Sequence, residues 1–198
     1  FEEVDRKSTR SYGVNQENII TDIFDDYYSS FAVNYNSAYL FYPFYKPIGK
    51  SYSGIVLYSK FKITDSLRRS LPISTGFSKF LDLDRCYSIS RINVENGKEL
   101  VLFTVHLSAY GNSDEIREAQ LNMLFKDMEK EVEDGNYVIC GGDFNHDLKA
   151  DEAKSDETES WAYPFPRSEM PQGVTFAMDK RALSDFEVFS FSKLNNQN

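Results

Sequence analysis

Asp143 and Asn145 stand two positions apart at the end of an apolar run, Tyr137-Val138-Ile139-Cys140, from which Gly141 and Gly142 separate them. If the chain stays extended there, both polar side chains point to one side and Phe144 points to the other, into a core. A carboxylate beside a neutral amide suits chemistry at a phosphate ester. The carboxylate can hold and deprotonate a water, and the amide can donate to a phosphoryl oxygen or lend its carbonyl to a hard cation. The same residues would equally serve a strand followed by an Asx-rich turn.

The surrounding chain has to deliver these groups to one place. The run from Tyr137 to Cys140 reads as a short strand covered on both faces. The glycine pair is expected to end it, and to let an anionic group come close to the main chain. Upstream, a helix is expected from about Ser113 to Glu133, opened by Asn112 with Glu115 as a capping box and buried along Leu124, Met128 and Val132, with Ile116 and Phe125 nearby. Before it, Arg85 to Asn93 and Glu99 to Leu107 look like neighbouring strands whose Asn96-Gly97 signals a type I′ hairpin. The second strand leads to His106 near its carboxyl end, and strand, helix and strand then form a crossover long enough for a parallel connection.

Toward the amino end, Phe1 to Asp5 reads as a strand and Asn15 as the N-cap of a helix from about Gln16 to Ser29. Its Ile19, Ile20, Ile23, Phe24 and Tyr27 stripe is expected to pack in the core. Phe31 to Asn36 alternates as a strand, the aromatic passage from Tyr39 to Tyr45 reads as an edge strand or loop, and Ser53 to Ser59 as a glycine-led apolar strand. Aromatics in that passage either pack under a sheet or stack on a substrate. Arg68 and Arg69 are read as a loop pair or a cationic rim. Asp151 to Ser160 is a charged run expected to form a surface loop, and the aromatics of Trp161 to Pro166 either dock it or line a substrate mouth.

Composition narrows the classes. A chain of 198 residues, 41% hydrophobic and 15% aromatic, suffices for one domain that removes roughly 70% of its unfolded surface from water. A net charge of −9 opposes nonspecific attraction to nucleic acid and anionic membranes, although a bound cation reverses such a field locally. No stretch approaches about 18 consecutive apolar residues, so no membrane span is expected. Cys86 and Cys140 lie in apolar strand-like runs without CxxC spacing and read as core residues. Oligomeric state and location are not written in the sequence.

Gly142-Asp143-Phe144-Asn145 resembles the Gly-Asp-Phe-Asn motif of the endonuclease/exonuclease/phosphatase superfamily, which includes the pancreatic deoxyribonuclease, apurinic endonucleases, neutral sphingomyelinases and inositol polyphosphate phosphatases. Three more segments resemble the family's in the same order: Phe1 to Asp5, Ser53 to Ser59, and Thr104 to Leu107. The resemblance implies an α+β fold, the DNase I-like four-layer α/β/β/α sandwich, as a single domain over 1–198. It also implies that the sandwich is incomplete, lacking its first strand and its C-terminal strands. The implied activity is hydrolysis of a phosphate mono- or diester by in-line attack of water, with Mg2+, or Mn2+ in its place.

Carried over residue by residue, Glu3 is the metal ligand. It is preferred to Glu2 because the family places that glutamate directly before a small apolar residue, here Val4. Asp143 orients the water, while Asn145 and His106 stabilise charge on the phosphoryl oxygens, His106 as phosphate contact or proton donor. His146 is read as a turn cap. The four site residues are expected to converge at the carboxyl ends of neighbouring strands, with Asp143 or Asn145 within direct or single-water contact of His106. The family's terminal Ser-Asp-His has no full counterpart, because both histidines are already placed and Ser184-Asp185 precedes Phe186. That pair is expected to lie outside the cluster. The missing histidine motivates an alternative, a catalytically silent domain that binds a phosphorylated ligand or a protein partner. Among phosphate-ester substrates the acidity leans away from DNA.

Overall fold

A computed structural model of the chain describes residues 1–41, 44–73, 84–108, 114–147 and 163–177. In chain order these form β1 (Val4–Asp5), α1 (Gln16–Ile23), β2 (Tyr28–Leu40), β3 (Gly49–Ser59), β4 (Asp65–Ser70), β5 (Cys86–Asn93), β6 (Glu99–His106), α2 (Asp114–Glu133), β7 (Tyr137–Asp143), β8 (His146–Asp147) and β9 (Tyr163–Pro164). Among the described residues the strands make one sheet in the order β1-β3-β2, a second in the order β4-β5-β6-β7, and the short pair β8-β9. Among these strands only β6-β7 and β8-β9 pair in parallel. Helices and mixed sheets thus make an α+β fold, with the crossover from β6 through α2 to β7 as the sequence implied.

Alternation along β5 and β6 gives the second sheet two unlike faces. Tyr87, Ile89, Val101, Phe103 and Val105 pack beneath Leu121, Leu124, Phe125 and Met128 of α2, and this is the main apolar core. The opposite face meets the first sheet through a small cluster of Ala32, Ile55 and Cys86. Helix α1 lies outside the first sheet, where Thr21 bonds the Tyr58 hydroxyl at 2.8 Å. The layer order is therefore helix, sheet, sheet, helix.

The helix predicted from Gln16 to Ser29 stops at Ile23, although Asn15 does cap it by accepting the Asn18 N–H at 3.2 Å. Its stripe is not core: no residue of α1 is buried and Ile23 is 70% exposed, while Phe24 closes an aromatic cluster with Phe1, Tyr27 and Tyr58. The chain from Tyr28 onward is claimed instead by ladder bonds to β3. Asn96-Gly97 does turn a hairpin, but of another type. Gly97 alone has positive φ, +76°, and its N–H bonds Val94 O while Val94 N–H bonds Lys98 O, which is a type I turn closed by a bulge at glycine.

Strand β7 departs from expectation twice. It runs through both glycines to Asp143 instead of ending at them, and Ile139 is 56% exposed, since β7 is an edge of its sheet among the described residues and one face carries no layer there. Arg68 and Arg69 sit on β4, not in a loop. Arg69 pairs with Asp127 at 2.8 Å, and Arg68 Nε donates to Val33 O at 2.6 Å. Cys86 and Cys140 are free thiols. The Asn112 cap, the charged run from Asp151 to Ser160, Trp161, and Ser184-Asp185 lie outside the described residues. Among the described residues no helix is long and apolar enough to cross a membrane.

Candidate active site

The site grows from the end of β6. Val105 and His106 are neighbours on one strand, so alternation sends Val105 into the core under α2 and His106 between the sheets, where it is buried. Asp143 is paired with His106 in the parallel register of β7, and its Oδ2 lies 3.8 Å from His106 Nε2. Glu3 reaches the same nitrogen from the loop before β1, its Oε1 at 4.0 Å. Three of the four expected residues, more than a hundred positions apart in sequence, thus meet at the carboxyl end of β6.

Asn145 arrives by a different route from the one expected. It is not on an extended chain: its φ is +51°, a left-handed conformation that asparagine tolerates better than most residues. Its backbone N–H bonds Asp143 Oδ1 at 2.8 Å, an Asx turn, and its side-chain Nδ2 donates to Leu107 O at 2.9 Å. The turn fixes the Asp143 carboxylate and leaves Asn145 Oδ1 and one amide hydrogen for other partners. Phe144 does point into the core, packing edge-on to Phe165. His146 bonds its own loop through Nδ1 and Phe144 O, the turn-capping role expected of it.

Two residues complete the cluster that the sequence reading did not assign. Glu2, second to Glu3 in the sequence reading, puts Oε2 3.6 Å from His106 Nδ1, and that buried oxygen has no hydrogen-bond partner among the described residues. Glu3 by contrast is half exposed, sits at φ +54°, and gives Oε2 to Arg10 at 3.1 Å. Arg10 also clamps buried Asp5, Nε to Oδ2 at 3.0 Å. Asn34, 3% exposed, approaches His106 Nδ1 with Nδ2 at 2.9 Å, while its Oδ1 is a second buried acceptor without a partner among the described residues. Asn34 is there because β2 carries one residue more than β3 between the Val33–Gly54 and Tyr35–Ser53 pairs. Such a bulge re-aims a side chain and frees ladder groups. It turns Asn34 inward and leaves Val33 O to accept from Arg68 and from the Cys86 thiol. Nothing in the sequence of β2 marks the extra residue.

Burial governs the charges. It pushes His106 down to about 4, with Arg85 adding to the effect, so the imidazole is neutral at neutral pH. With Asn34 donating to Nδ1, the ring proton sits on Nε2, facing Asp143 and Glu3. Burial likewise raises the Glu2 carboxyl to about 7, against the pull of the amino terminus and with Asp143 and Glu3 adding repulsion. Gly142 lets Glu2 come this close: a Cβ there would lie 2.8 Å from Glu2 Oε1 and 2.1 Å from Val105 O, at a φ of +135°. The group that comes close to the main chain at Gly142 is the protein's own Glu2 carboxyl. Beside the cluster opens a cleft of about 700 Å³, with Glu3, Arg10, Asn34, Arg85 and His106 among its lining residues.

The family model described as "Endonuclease/Exonuclease/phosphatase family" matches residues 9–181. The chain belongs to the endonuclease/exonuclease/phosphatase family, and its α+β architecture is the DNase I-like fold of that family. Among solved structures it is similar to the human Nocturnin catalytic domain at 18% identity and a TM-score of 0.49, over 74% of this chain and 50% of that one. It is also similar to ANGEL2, a 2′,3′-cyclic phosphatase, at 16% identity and 0.49, over 73% and 38%. An endonuclease/exonuclease/phosphatase from Beutenbergia cavernae DSM 12333 shows 18% identity and 0.42, over 57% and 30%. The chain therefore spans half or less of the length of these proteins. No curated protein matches it closely enough to count as a relative.

Proposed function

We propose that the protein is a divalent-metal-dependent phosphoesterase that hydrolyses a phosphate mono- or diester by in-line attack of water. The observation that carries this reading is the meeting of Glu3, Asp143 and His106 within 4.0 Å at one strand end, beside buried acceptors that have no partner among the described residues. Family membership supports the phosphoesterase class and the use of a divalent cation.

By their chemistry, though not by their present grouping, the donor atoms suit a hard cation. Glu3 and Asp143 offer carboxylate oxygens, and the orphaned Glu2 Oε2 and Asn34 Oδ1 are oxygen acceptors that a cation would satisfy, a set that suits Mg2+ or Mn2+ better than softer metals. Glu3 is the assigned ligand. A bound cation would neutralise charge on the phosphoryl oxygens. Asp143, fixed by the Asn145 N–H through Oδ1, keeps Oδ2 to hold and deprotonate the attacking water. His106, neutral and protonated on Nε2, donates to a phosphoryl oxygen; its low pKa favours this contact over the proton-donor role. Asn145 presents its remaining amide hydrogen or its carbonyl oxygen to the same group.

Turnover of bis(p-nitrophenyl) phosphate tests the proposal. Hydrolysis should need added magnesium, vanish with EDTA and return with magnesium; hydrolysis that persists in EDTA contradicts it. One observation favours a second reading. Among the described residues no three His, Cys, Asp or Glu side chains are arranged to hold a metal. A silent domain that binds a phosphorylated ligand or a protein partner would show calorimetric binding with no turnover at any magnesium concentration.

A further inference from the structure

Helix α2 buries one polar side chain in the stripe where an apolar one belongs. Gln120 stands four and eight residues before Leu124 and Met128, on the face that packs over the second sheet, and it is wholly buried. Its carbonyl and both amide hydrogens are engaged. Oε1 accepts the Ser108 N–H at 3.0 Å, and Nε2 donates to Pro72 O at 2.7 Å and to the Ser108 hydroxyl at 2.9 Å. The amide cannot be turned over, because the Ser108 N–H can only donate and Pro72 O can only accept. These partners lie at the rim of the site, Ser108 being two residues past His106. The Ser108 N–H and the Leu107 carbonyl belong to one rigid peptide plane and point in opposite directions. Gln120 holds the N–H end, and Asn145 Nδ2 holds the carbonyl end at 2.9 Å. Leu107 N–H is pinned in turn to Asp143 O at 2.9 Å, which leaves rotation of the following plane as the freedom that Gln120 removes. His106 needs no such help, since its ladder pairs with Cys86 and Asp143 fix it.

We infer that Gln120 is a positioning residue: it sets the Leu107–Ser108 peptide plane and, through that plane, the direction of the Asn145 side-chain amide. The inference rests on the proposed phosphoester site, in which Asn145 stabilises charge on the phosphoryl oxygens, and adds to it a residue that touches no substrate. A peptide group bonded at both ends is polarised along its length, so each bond strengthens the other. Released from Gln120, the plane can rotate about the bonds that flank it and carry the Leu107 carbonyl away from Asn145. Misplacing a group that acts on the transition state in this way costs about 10- to 100-fold in kcat. A glutamine that only fastened α2 to two strand ends would affect stability without singling out Asn145.

A mutant cycle read by magnetic resonance and by kinetics tests it. Gln120→Met keeps the bulk of the side chain and removes its three bonds, while Asn145→Gly removes the amide and suits the left-handed φ of that residue. In the metal-free protein Gln120→Met should shift the Asn145 side-chain amide resonances, and Asn145→Gly should shift the Ser108 N–H and the Gln120 side-chain amide. With bis(p-nitrophenyl) phosphate in magnesium, Gln120→Met should lower kcat by about 10- to 100-fold and leave KM within about twofold. The double variant should be no slower than Asn145→Gly alone, because the glutamine acts through the asparagine. Tyr87→Phe, which loses the 2.6 Å bond from the Tyr87 hydroxyl to Asp127 of α2, should lower the melting temperature and leave kcat unchanged. Unmoved Asn145 resonances in Gln120→Met, losses in kcat that multiply in full, or an equal loss in Tyr87→Phe would overturn the inference and leave the phosphoester site standing. If Gln120→Met does not fold, Asn145→Gly decides: shifts at Ser108 and Gln120 support the link, and their absence overturns it. A wild-type protein that hydrolyses no diester overturns the proposed function, and the resonances still decide the peptide link.

Discussion

The two faces of the β4-β5-β6-β7 sheet are built for different purposes. Under α2 the face is apolar and continuous, with Tyr87, Phe103, Val105, Leu121 and Leu124 almost wholly buried. Toward the first sheet the buried residues are largely polar: Ser51, Ser53, Asn34, Ser88, Ser90 and His106, around an apolar cluster of Ala32, Ile55 and Cys86. The apolar core and the candidate site are thereby separated by a single strand. Burial of Phe103-sized side chains supplies about 1.5–3 kcal/mol each on one face, which offsets the cost of keeping hydroxyls, an amide and an imidazole out of water on the other.

The comparison can be broken most directly in its apolar half. Phe103→Ala should lower unfolding free energy by about 3–5 kcal/mol in denaturant titration, because α2 cannot collapse onto the void. A loss under about 1 kcal/mol would mean that the core lies elsewhere. Next in size, Gly142→Ala should destabilise by about 2 kcal/mol or more, since a Cβ collides with Val105 O and displaces Glu2 at a strained φ. A neutral result would show that β7 tolerates movement at the site.

Acid titration of stability sharpens the polar half. The folded pKa of Glu2 is raised to about 7, so its favourable contribution is full below its unfolded value of 4.5 and is lost as pH rises toward 7. The folded pKa of His106 is lowered to about 4, so its contribution is present above 6.5 and is lost as pH falls toward 4. Between about 4.5 and 6.5 the two slopes, each up to about 1.4 kcal/mol per pH unit, oppose one another and wild-type stability should change little. Glu2→Gln should unmask a stability that rises with pH in this window, and His106→Asn one that falls with it. Parallel profiles for the two variants would refute the charge assignment. Smallest of all, Ser90→Ala, which removes the 3.2 Å hydrogen bond between the Ser90 and Ser66 hydroxyls, should cost no more than about 1 kcal/mol, the net worth of one hydrogen bond.

Local pattern made much of this arrangement legible. The periods of Glu99–His106, α2 and Tyr137–Asp143 revealed the crossover, and the four-residue motif marked the end at which Glu3, His106 and Asp143 meet. What failed was long-range. The α1 stripe has helical spacing, yet nothing in a single helix says whether a partner covers it. Tyr137 and Ile139 read as buried because apolar runs are silent about sheet edges. Asn34 was invisible because one extra residue in β2 matters only against β3, which the sequence does not align with it. Glu2 and Glu3 differ in surroundings through backbone conformation, φ +54° at Glu3, which their spacing cannot disclose.

The central claim is that the polar face leads to a working phosphoester site held by Asp143. The most direct measurement is kcat/KM of Asp143→Ala toward a phosphodiester in magnesium, taken together with its melting temperature. A fall of about 100- to 10,000-fold is predicted in a variant that still folds cooperatively, because the half-exposed carboxylate gives up one turn hydrogen bond to the Asn145 N–H and no core contact. Hydrolysis at the wild-type rate by the folded variant would contradict the account.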